Sequence, residues 1–453
     1  MSFNIADNLS DLNVRYVQLR AINSSASGQF QFSKGLPLLR FEINDSIAPL
    51  MLQGAHLRLT GKMTAGKSGG GNFQQAEPLE SNYINRFAGV HGCIDNIVIS
   101  SKRLNSNLER VQNYNRLVPS IVSTIHGRED IAGDLFHQSG SITNNWISRN
   151  ALIARNSSGK GRDFSIPLYL GTLHSGSDIN LSRTSGLSGL TIDILLKSDA
   201  NVVWGSDSNS DSATYNLSDI ALTVPLMEVS GETQERIEKA PDTFSFNTWS
   251  SVLTTINSQV SVVSLNPGLS RVTSVLFNAV NSQELGNQNF DPGRLGNLGQ
   301  LERLRYTQNG VLFPLQYNLD TTDRQNASAA QGGKVSETVK CRAGNVRNVL
   351  ESVITSSYFK ARHTSMAFNE FNSSVVNVDQ TAGKNGDNVQ TVEQFGLIYD
   401  MFGSGSNFST STWSVELTVP EIDGNAATSQ SLFVYFLNKN DVEFSQNGID
   451  IIR

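Results

Sequence analysis

Residues 87–117 read FAGVHGCIDNIVISSKRLNSNLERVQNYNRL, and the periodicity of this stretch changes halfway. The first part contains CIDNIVIS at 93–100, a β-branched run that predicts a strand. The second part begins the segment 106–125, which spaces apolar residues three to four apart at Leu108, Val111, Tyr114 and Leu117. This spacing predicts a helix, and Pro119 is expected to end or kink it.

Short strand-like runs fill most of the remaining chain, separated by loops rich in Gly, Ser, Asn and Asp. In the first half they lie at 37–43, 55–60, 163–170, 190–196, 201–204 and 218–229. In the second half they lie at 243–249, 259–265, 271–277, 311–317, 395–401, 413–419, 431–437 and 448–453. A second helix is predicted at 344–355, from Val346, Val349, Leu350 and Val353. The fold class is therefore expected to be all-β, with short helices in long loops.

The two halves share one plan of strands, a loop with a helix, and more strands. The tetrapeptide LTVP also recurs, at 222–225 and 417–420. Many short strands with long connections suit two consecutive eight-stranded antiparallel jelly rolls. The predicted division is an N-terminal arm at 1–34, a first roll at 35–230, a charged linker at 231–241 and a second roll at 242–453. In the arm, Phe30 and Phe32 are expected to pack against its own base or a neighbouring molecule.

Composition limits the possible functions. Of the 453 residues, 38% are hydrophobic and only 17% are charged, so Ser, Asn, Thr and Gln must supply much of the polar surface. The formal net charge is −6, and the sequence has no basic tail, so we expect no sequence-specific binding of nucleic acid. The N-terminus lacks an apolar signal core, which predicts synthesis in the cytoplasm.

The segment GKMTAGKS at 61–68 fits the phosphate-binding pattern G-x-x-x-x-G-K-[S/T]. In such a site Lys67 would contact the outer phosphates and Ser68 would bind Mg²⁺, with a helix beginning at Lys67. Gly69, Gly70 and Gly71 follow instead, and each Gly costs about 1 kcal/mol in a helix interior. The segment is therefore predicted to be a loop that matches by chance, and a nucleotide-binding protein is the most distant alternative.

Other candidate residues have simpler interpretations. His91 and Cys93 would share one face of a strand, and we expect a buried pair rather than a metal site. Asp400 ends the apolar run at 395–400 and could be taken for a Mg²⁺ ligand, but this pattern is common in β proteins. We interpret Glu228 and Glu232 as surface charges. No catalytic, cofactor-binding or metal-binding residue is assigned, and no enzyme activity is predicted.

Three arginines near the first predicted helix could contact an acidic neighbour or nucleic acid: Arg103, Arg110 and Arg116. Ion pairs within the chain or between subunits are expected, because Glu109 and Asp95 are close in sequence.

The order of motifs resembles the double jelly-roll major capsid proteins, or hexons, of double-stranded DNA viruses. The resemblance rests on 87–117, on FSIPLYLGTL, SGLTIDILL and YNLSDIALTVPLMEV at 164–229, and on the segments at 395–421 and 431–453. Polinton, adintovirus and adomavirus hexons are the most similar in character. The resemblance implies a homotrimer that forms pseudo-hexagonal capsomers in the icosahedral capsid of a virion. It also implies neighbouring capsomers, penton proteins and minor capsid proteins as partners.

A receptor- or carbohydrate-binding β protein remains the alternative. That reading expects exposed aromatic side chains or an Asp-rich Ca²⁺ loop. The four tryptophans are isolated in sequence, at Trp146, Trp204, Trp249 and Trp413, and GSDSNSDS at 205–212 lacks the spacing of Ca²⁺ ligands.

Overall fold

The computed structural model describes strands in both halves of the chain. The described residues are 12–23, 29–30, 37–43, 50–52, 56–69, 72–75, 82–85, 88–101, 107–125, 141–142, 150–153, 162–173, 179–180, 190–205, 213–229, 235, 243–258, 260–282, 285–287, 303–312, 318–320, 397–400, 405–418, 429–445 and 448–452.

Where the structure describes the first half, it contains seventeen elements: β1 Leu12–Arg20, β2 Gln29–Phe30, β3 Leu38–Ile43, β4 Leu50–Leu52, β5 Arg58–Gly69, β6 Asn72–Gln75, β7 Asn82–Asn85, β8 Ile94–Ser101, β9 Asn107–Val111, α1 Tyr114–Ile125, β10 Ser141–Ile142, β11 Asn150–Ile153, β12 Arg162–Pro167, β13 Ile179–Asn180, β14 Leu190–Leu196, β15 Trp204–Gly205 and β16 Ala213–Val229. Two short 3₁₀ turns accompany them, at Gly89–Cys93 and Asp199–Asn201.

The described residues of the second half form ten strands: β17 Thr243–Ile256, β18 Val260–Ser264, β19 Val272–Asn281, β20 Arg303–Gln308, β21 Val311–Leu312, β22 Asn318–Asp320, β23 Leu397–Asp400, β24 Trp413–Thr418, β25 Gln430–Ser445 and β26 Gly448–Ile452. Every strand pairing in the described part of the chain is antiparallel.

The two halves repeat one strand order. In the first half β1, β16, β5 and β12 pair in that order, and in the second half β17, β25, β19 and β23 do so. The facing sheets are β3-β14-β8-β9 and β18-β24-β20-β21. In each half these eight shared strands therefore form two antiparallel layers with the same connectivity, which is a jelly roll. Additional strands in the described chain extend the sheets: β2, β4, β6 and β13 in the first half, and β22 and β26 in the second half. A further four-stranded sheet, β10-β11-β7-β15, belongs to the first half. The prediction of a double jelly roll is confirmed, and β1 and β17 are counterparts, as are β9 and β21.

Each pair of sheets encloses apolar side chains. In the first roll Leu59 on β5 and Leu222 on β16 belong to the same buried cluster as Phe41 on β3 and Ile97 on β8. In the second roll Phe408 stacks on Trp413 of β24 at 4.2 Å between ring centroids and meets the edge of Phe436 on β25 at 5.6 Å. Face-to-face packing of sheets in this way gives one core per roll.

The first predicted helix is correct only in its second part. Leu108 and Val111 lie on strand β9, and the helix α1 begins at Tyr114. Asn113 separates them with a φ of 53°, a left-handed conformation that Asn tolerates better than most residues. Pro119 lies inside α1 rather than at its end. The second predicted helix, at 344–355, lies outside the described residues.

The predicted N-terminal arm needs correction. Residues 12–20 form β1, which pairs with β16 from Leu12↔Val229 to Arg20↔Ala221 and is the first strand of the first roll. Phe30 pairs opposite Leu217 and is 2% exposed within the core. Phe32 lies outside the described residues. The part of the arm that the structure describes is thus built into the roll, because its backbone completes a sheet.

The predicted loop at 61–68 is also wrong, because these residues lie within β5. Around Gly66 the strand pairs with β16 on one side and with β6 on the other. Gly61 has a packing reason: a Cβ there would lie 2.7 Å from Ile220 Cδ1 and 3.0 Å from Phe164 Cζ. The first glycine of the pattern is therefore explained by a crowded sheet, and the helix required for phosphate binding is absent from this described strand.

Most of the other predicted strands occur within a few residues of the expected bounds. One exception is 201–204, where a 3₁₀ turn ends at Asn201 and the strand β15 begins only at Trp204. The predicted strand at 311–317 is described only at Val311–Leu312, where β21 lies, and its other residues lie outside the described part of the chain. Within the predicted linker the structure describes only Glu235, which is exposed, so the domain boundaries there stay predictions.

Candidate functional site at the junction of the two halves

The two rolls meet along a buried surface that we call the junction. The first half contributes β9, α1 and the residues Gly171 and Thr172, and the second half contributes β17, β19 and β25. Side chains from both halves form one hydrophobic cluster there. Its members at the junction are Tyr114, Leu117, Val118 and Ile121 of α1, with Trp249, Leu276, Val280, Phe433, Tyr435 and Leu437 of the second half. The two rolls are therefore joined by a buried apolar contact in addition to the core of each roll.

Strand β25 explains how one sheet serves two cores. Its residues Leu432 to Leu437 are all buried, without the usual alternation. Successive side chains of a strand point to opposite faces. Phe436 thus packs inside the second roll, whereas its neighbour Tyr435 points toward the first half. The continuous apolar run is typical of a strand that is covered on both faces.

At the centre of the junction is the carboxylate of Glu109, which is 3% exposed. Its Oε1 accepts hydrogen bonds from the backbone N–H groups of Gly171 at 3.0 Å and Trp249 at 2.8 Å. Its Oε2 accepts one from the N–H of Thr172 at 2.9 Å. One side chain on β9 thus holds a loop of its own roll and a strand of the second roll. Hydrogen bonds to an ionised acceptor are stronger than neutral ones, so this carboxylate is suited to fix both segments.

Burial raises the pKa of the Glu109 carboxyl above its ordinary value, and the N–H groups of Trp249, Thr172 and Gly171 oppose this shift. The charged form loses the solvation of water and gains three backbone donors in return. The free energy of the junction therefore depends on the protonation state of Glu109.

The backbones of the two halves also touch directly. A Cβ on Gly171 would lie 2.5 Å from the carbonyl oxygen of Asn247 and 3.0 Å from the Cα of Thr248. No side chain fits in that space, so glycine is required by the close approach of β17.

The start of α1 is fixed by second-half side chains. Tyr435 donates its hydroxyl hydrogen to the carbonyl oxygen of Asn113 at 2.8 Å, and Asn278 Nδ2 donates to the carbonyl oxygen of Arg116 at 3.3 Å. The backbone N–H of Gln112 donates to Ser251 Oγ at 3.1 Å. Burial raises the pKa of the Tyr435 phenol, which keeps it a neutral donor. These bonds set the orientation of the rolls, because they join main chain to side chain at defined positions.

The three arginines singled out in the sequence lie in different environments. Arg116 is 4% exposed, and its guanidinium lies 5.5 Å from the ring centroid of Phe433, a cation–π contact across the junction. Arg110 is exposed, and Arg103 lies outside the described residues. The expected acidic neighbours have other partners: Asp95 pairs with Lys197 at 2.6 Å, and Glu109 accepts backbone N–H groups. The sequence therefore identified Arg116 as a contact residue, but its described contact is with the Phe433 ring rather than with the carboxylates of Glu109 or Asp95.

His91 and Cys93 are both buried, as expected, but they lie in the 3₁₀ turn Gly89–Cys93 rather than on a strand. The Nδ1 of His91 lies 3.5 Å from the hydroxyl of Tyr114, which accepts the backbone N–H of Tyr169 at 2.8 Å. Burial raises the pKa of the Cys93 thiol well above its ordinary value. Within the described residues, no three His, Cys, Asp or Glu side chains come together as a metal site requires.

The remaining candidates do not form a site in the described structure. The main chain of Asp400 ends β23, and that of Glu228 lies in β16, whereas Glu232 lies outside the described residues. Trp249 and Trp413 are each 1% exposed, which does not fit a sugar-binding platform, and Trp146 is not described. Of the helices in the described part of the chain, none is long and apolar enough to cross a membrane.

Glu109, Gly171 and Trp249 form the centre of the junction, yet sequence patterns did not identify them as a group. Glu109 lies 62 positions from Gly171 and 140 from Trp249. The available signal was weak: a charged residue in an apolar strand, and the uninterrupted apolar run of β25.

The chain is similar in structure to several viral capsid proteins. One is PBCV-1 VP54 fitted into a reconstruction of the virophage Sputnik, with a TM-score of 0.59, 10% identity, and coverage of 98% of this chain and 97% of that one. The Faustovirus major capsid protein has a TM-score of 0.57 and 8% identity, with coverage of 96% of this chain and 91% of that one. The mavirus major capsid protein has a TM-score of 0.53 and 9% identity, with coverage of 96% of this chain and 90% of that one. The chain therefore has the double jelly-roll fold of these major capsid proteins. No family model and no curated protein sequence matches it.

Proposed function

We propose that this protein is a viral major capsid protein that trimerises into pseudo-hexagonal capsomers of an icosahedral shell. The observation that carries the proposal is the junction: two rolls of the same strand order are fixed to each other by a buried core and the Glu109 carboxylate. Such a subunit is a rigid two-lobed block. Three blocks about a threefold axis present six similar lobes, a shape that tiles a shell.

The structural likeness to the PBCV-1, Faustovirus and mavirus capsid proteins supports this role, since it extends over nearly the whole of each chain. The proposed partners are two further copies in the trimer, neighbouring capsomers, and penton and minor capsid proteins. The protein acts as a structural component of the virion, without enzyme activity, and is made in the host cytoplasm.

A low charged fraction suits such a subunit. Only 17% of residues are charged, and lateral faces buried in an assembly cannot hold many unpaired charges without a large desolvation cost. Ser, Asn and Thr can be buried at lower cost when they form hydrogen bonds. An obligate interface typically buries about 2,000 Å² or more, which a two-lobed block offers along its sides.

Negative-stain electron microscopy of the purified protein tests the proposal. We expect flat particles of threefold symmetry with a pseudo-hexagonal outline. Long rods would instead support a fibre protein, the alternative surface-protein function, and single two-lobed particles would contradict the capsomer.

A further inference from the structure

A lysine, an aspartate and an asparagine from three segments of the first half meet beside the start of α1. Lys197 Nζ lies 2.6 Å from Asp95 Oδ1 and 3.3 Å from Asn113 Oδ1. Lys197 follows the last residue of β14, Asp95 lies on β8, and Asn113 lies between β9 and α1. The cluster therefore brings together a primary amine, a carboxyl group and a primary amide.

The backbone is held in place at both the lysine and the asparagine. The N–H of Lys197 donates to the carbonyl oxygen of Cys93 at 2.8 Å, and the hydroxyl of Tyr215 donates to the carbonyl oxygen of Lys197 at 2.5 Å. The carbonyl oxygen of Asn113 accepts the hydroxyl hydrogen of Tyr435 at 2.8 Å. Groups that are held in contact react far faster than the same groups free in solution, because the entropy of bringing them together is already spent.

The cluster is partly shielded from solvent. The side chains of Lys197 and Asp95 are 20% and 24% exposed, whereas those of the ion pair Lys62–Asp219 are 40% and 69% exposed. The amine and the carboxylate of the first pair are within hydrogen-bond reach, so a proton can pass directly between them. Once it has lost that proton, a lysine amine is a nucleophile for carbonyl carbons. The nearest such carbon on the asparagine side is Cγ of Asn113, to which Oδ1 is bonded.

We propose that Lys197 and Asn113 become joined by an isopeptide bond after the chain folds, with Asp95 as the proton carrier. Lys197 Nζ passes one proton to Asp95, and the neutral amine attacks Cγ of Asn113 to form a C–N bond. Asp95 then donates its proton to Nδ2 of Asn113 and takes the second proton from Nζ. The Cγ–Nδ2 bond breaks, ammonia leaves, and the carbonyl group re-forms as a secondary amide. The reaction neither oxidises nor reduces any group and requires no further reactant.

This bond would tie the first roll to the start of the junction helix. It closes a loop between residues 84 positions apart, and a cross-link over a long loop restricts the unfolded chain. The carbonyl oxygen of Asn113 is the acceptor for Tyr435 of the second half, so the cross-linked residue is also a contact of the junction. The bond lies within one chain, and the inference therefore goes beyond the proposed function and does not depend on it.

Intact-mass spectrometry of the purified full chain tests the proposal. We expect the wild-type mass to be lower than the sequence mass by one ammonia molecule. Lys197→Arg lacks the amine, and Asp95→Asn lacks the proton carrier, so both variants should have their full sequence mass. Lys62→Arg is the matched control, because Lys62 also pairs with an aspartate, at 3.3 Å, and this variant should keep the ammonia deficit. Circular dichroism checks that each variant folds.

Tandem mass spectrometry of a tryptic digest locates the bond in the wild type without any substitution. We expect a branched peptide that joins positions 113 and 197, with no cleavage after Lys197. A wild-type chain of full sequence mass would overturn the proposal. So would an ammonia deficit that persists in Lys197→Arg, because it would come from another asparagine, such as Asn309 before Gly310.

Discussion

The backbone N–H of Trp249 donates to the Glu109 carboxylate over 2.8 Å, although 140 positions separate the two residues in sequence. The bond joins the first strand of the second roll to a strand at the edge of the first roll. Together with the bonds from Gly171 and Thr172, it makes one buried side chain an acceptor for the backbones of both rolls.

Glu109→Ala is expected to lower the free energy of unfolding by about 3 kcal/mol or more, because it leaves three buried N–H groups without an acceptor. Thermal and urea unfolding of the purified variant measure the effect. Arg110→Ala is the matched control, since Arg110 is the exposed neighbour on the same strand and its loss should change stability little. Equal unfolding midpoints for Glu109→Ala and Arg110→Ala would contradict the role of the carboxylate.

The pH dependence of stability should carry the signature of Glu109. Its pKa in the folded protein is raised above the ordinary value of 4.5, so the folded state binds the proton more tightly than the unfolded state. The contribution of Glu109 is therefore fully present below the ordinary pKa and is lost as the pH rises through the raised value. As the pH rises through the raised pKa, we expect wild type to lose stability relative to Glu109→Gln. The unfolding midpoint of wild type minus that of Glu109→Gln should therefore decrease. A difference that is constant with pH, or that shifts toward wild type, would disprove the raised pKa.

Gly171→Ala should disrupt the junction, because the new Cβ would lie 2.5 Å from the carbonyl oxygen of Asn247. Overpacking of this kind typically costs about 1–3 kcal/mol. Gly92→Ala is the control, since its Cβ would meet only Ala88 Cβ, at an ordinary 3.5 Å. Differential scanning fluorimetry of both variants should show a lower midpoint for Gly171→Ala alone.

Removal of residues 1–34 should prevent stable folding of the first roll. The deletion takes away all nine residues of β1 and the buried Phe30. Removal of residues 1–11 leaves β1 intact and serves as the control. Circular dichroism and limited proteolysis distinguish the two products. If the longer deletion yields a folded, protease-resistant protein, the segment is an arm after all.

Lys67→Ala should not change the affinity for nucleotides. The pattern at 61–68 lies on the paired strand β5, and Lys67 does not begin a helix. Calorimetric titration of the wild type with Mg·ATP is expected to show no specific binding. Saturable binding that disappears in Lys67→Ala would instead assign a phosphate site to this strand.

Sequence patterns predicted the strands well where the cause is local. The run LTIDILL at 190–196 coincides with β14, because a strand in the middle of a sheet needs apolar, β-branched side chains along its length. The duplicated plan of the two halves and the capsid-like order of motifs could be predicted because they, too, depend on local strand patterns. The uninterrupted run at 431–437 could also show that both faces of β25 are covered, but not by which element.

Other features depend on contacts that are distant in sequence. The segment LNVRYVQLR at 12–20 does not resemble a core strand, because its apolar residues Val14 and Tyr16 face outward in the single chain. Gly61 completes a phosphate-binding pattern, yet a glycine is needed there because Ile220 and Phe164 on neighbouring strands leave no room for a Cβ. The partners of Glu109 lie in two other segments, and a single sequence does not tell which segments meet.

The mass of the purified protein in dilute solution tests the central claim most directly. Mass photometry should find particles of three times the 49.3 kDa chain mass, which persist on dilution. A mass of one chain that persists at micromolar protein would contradict both the trimer and the capsid function.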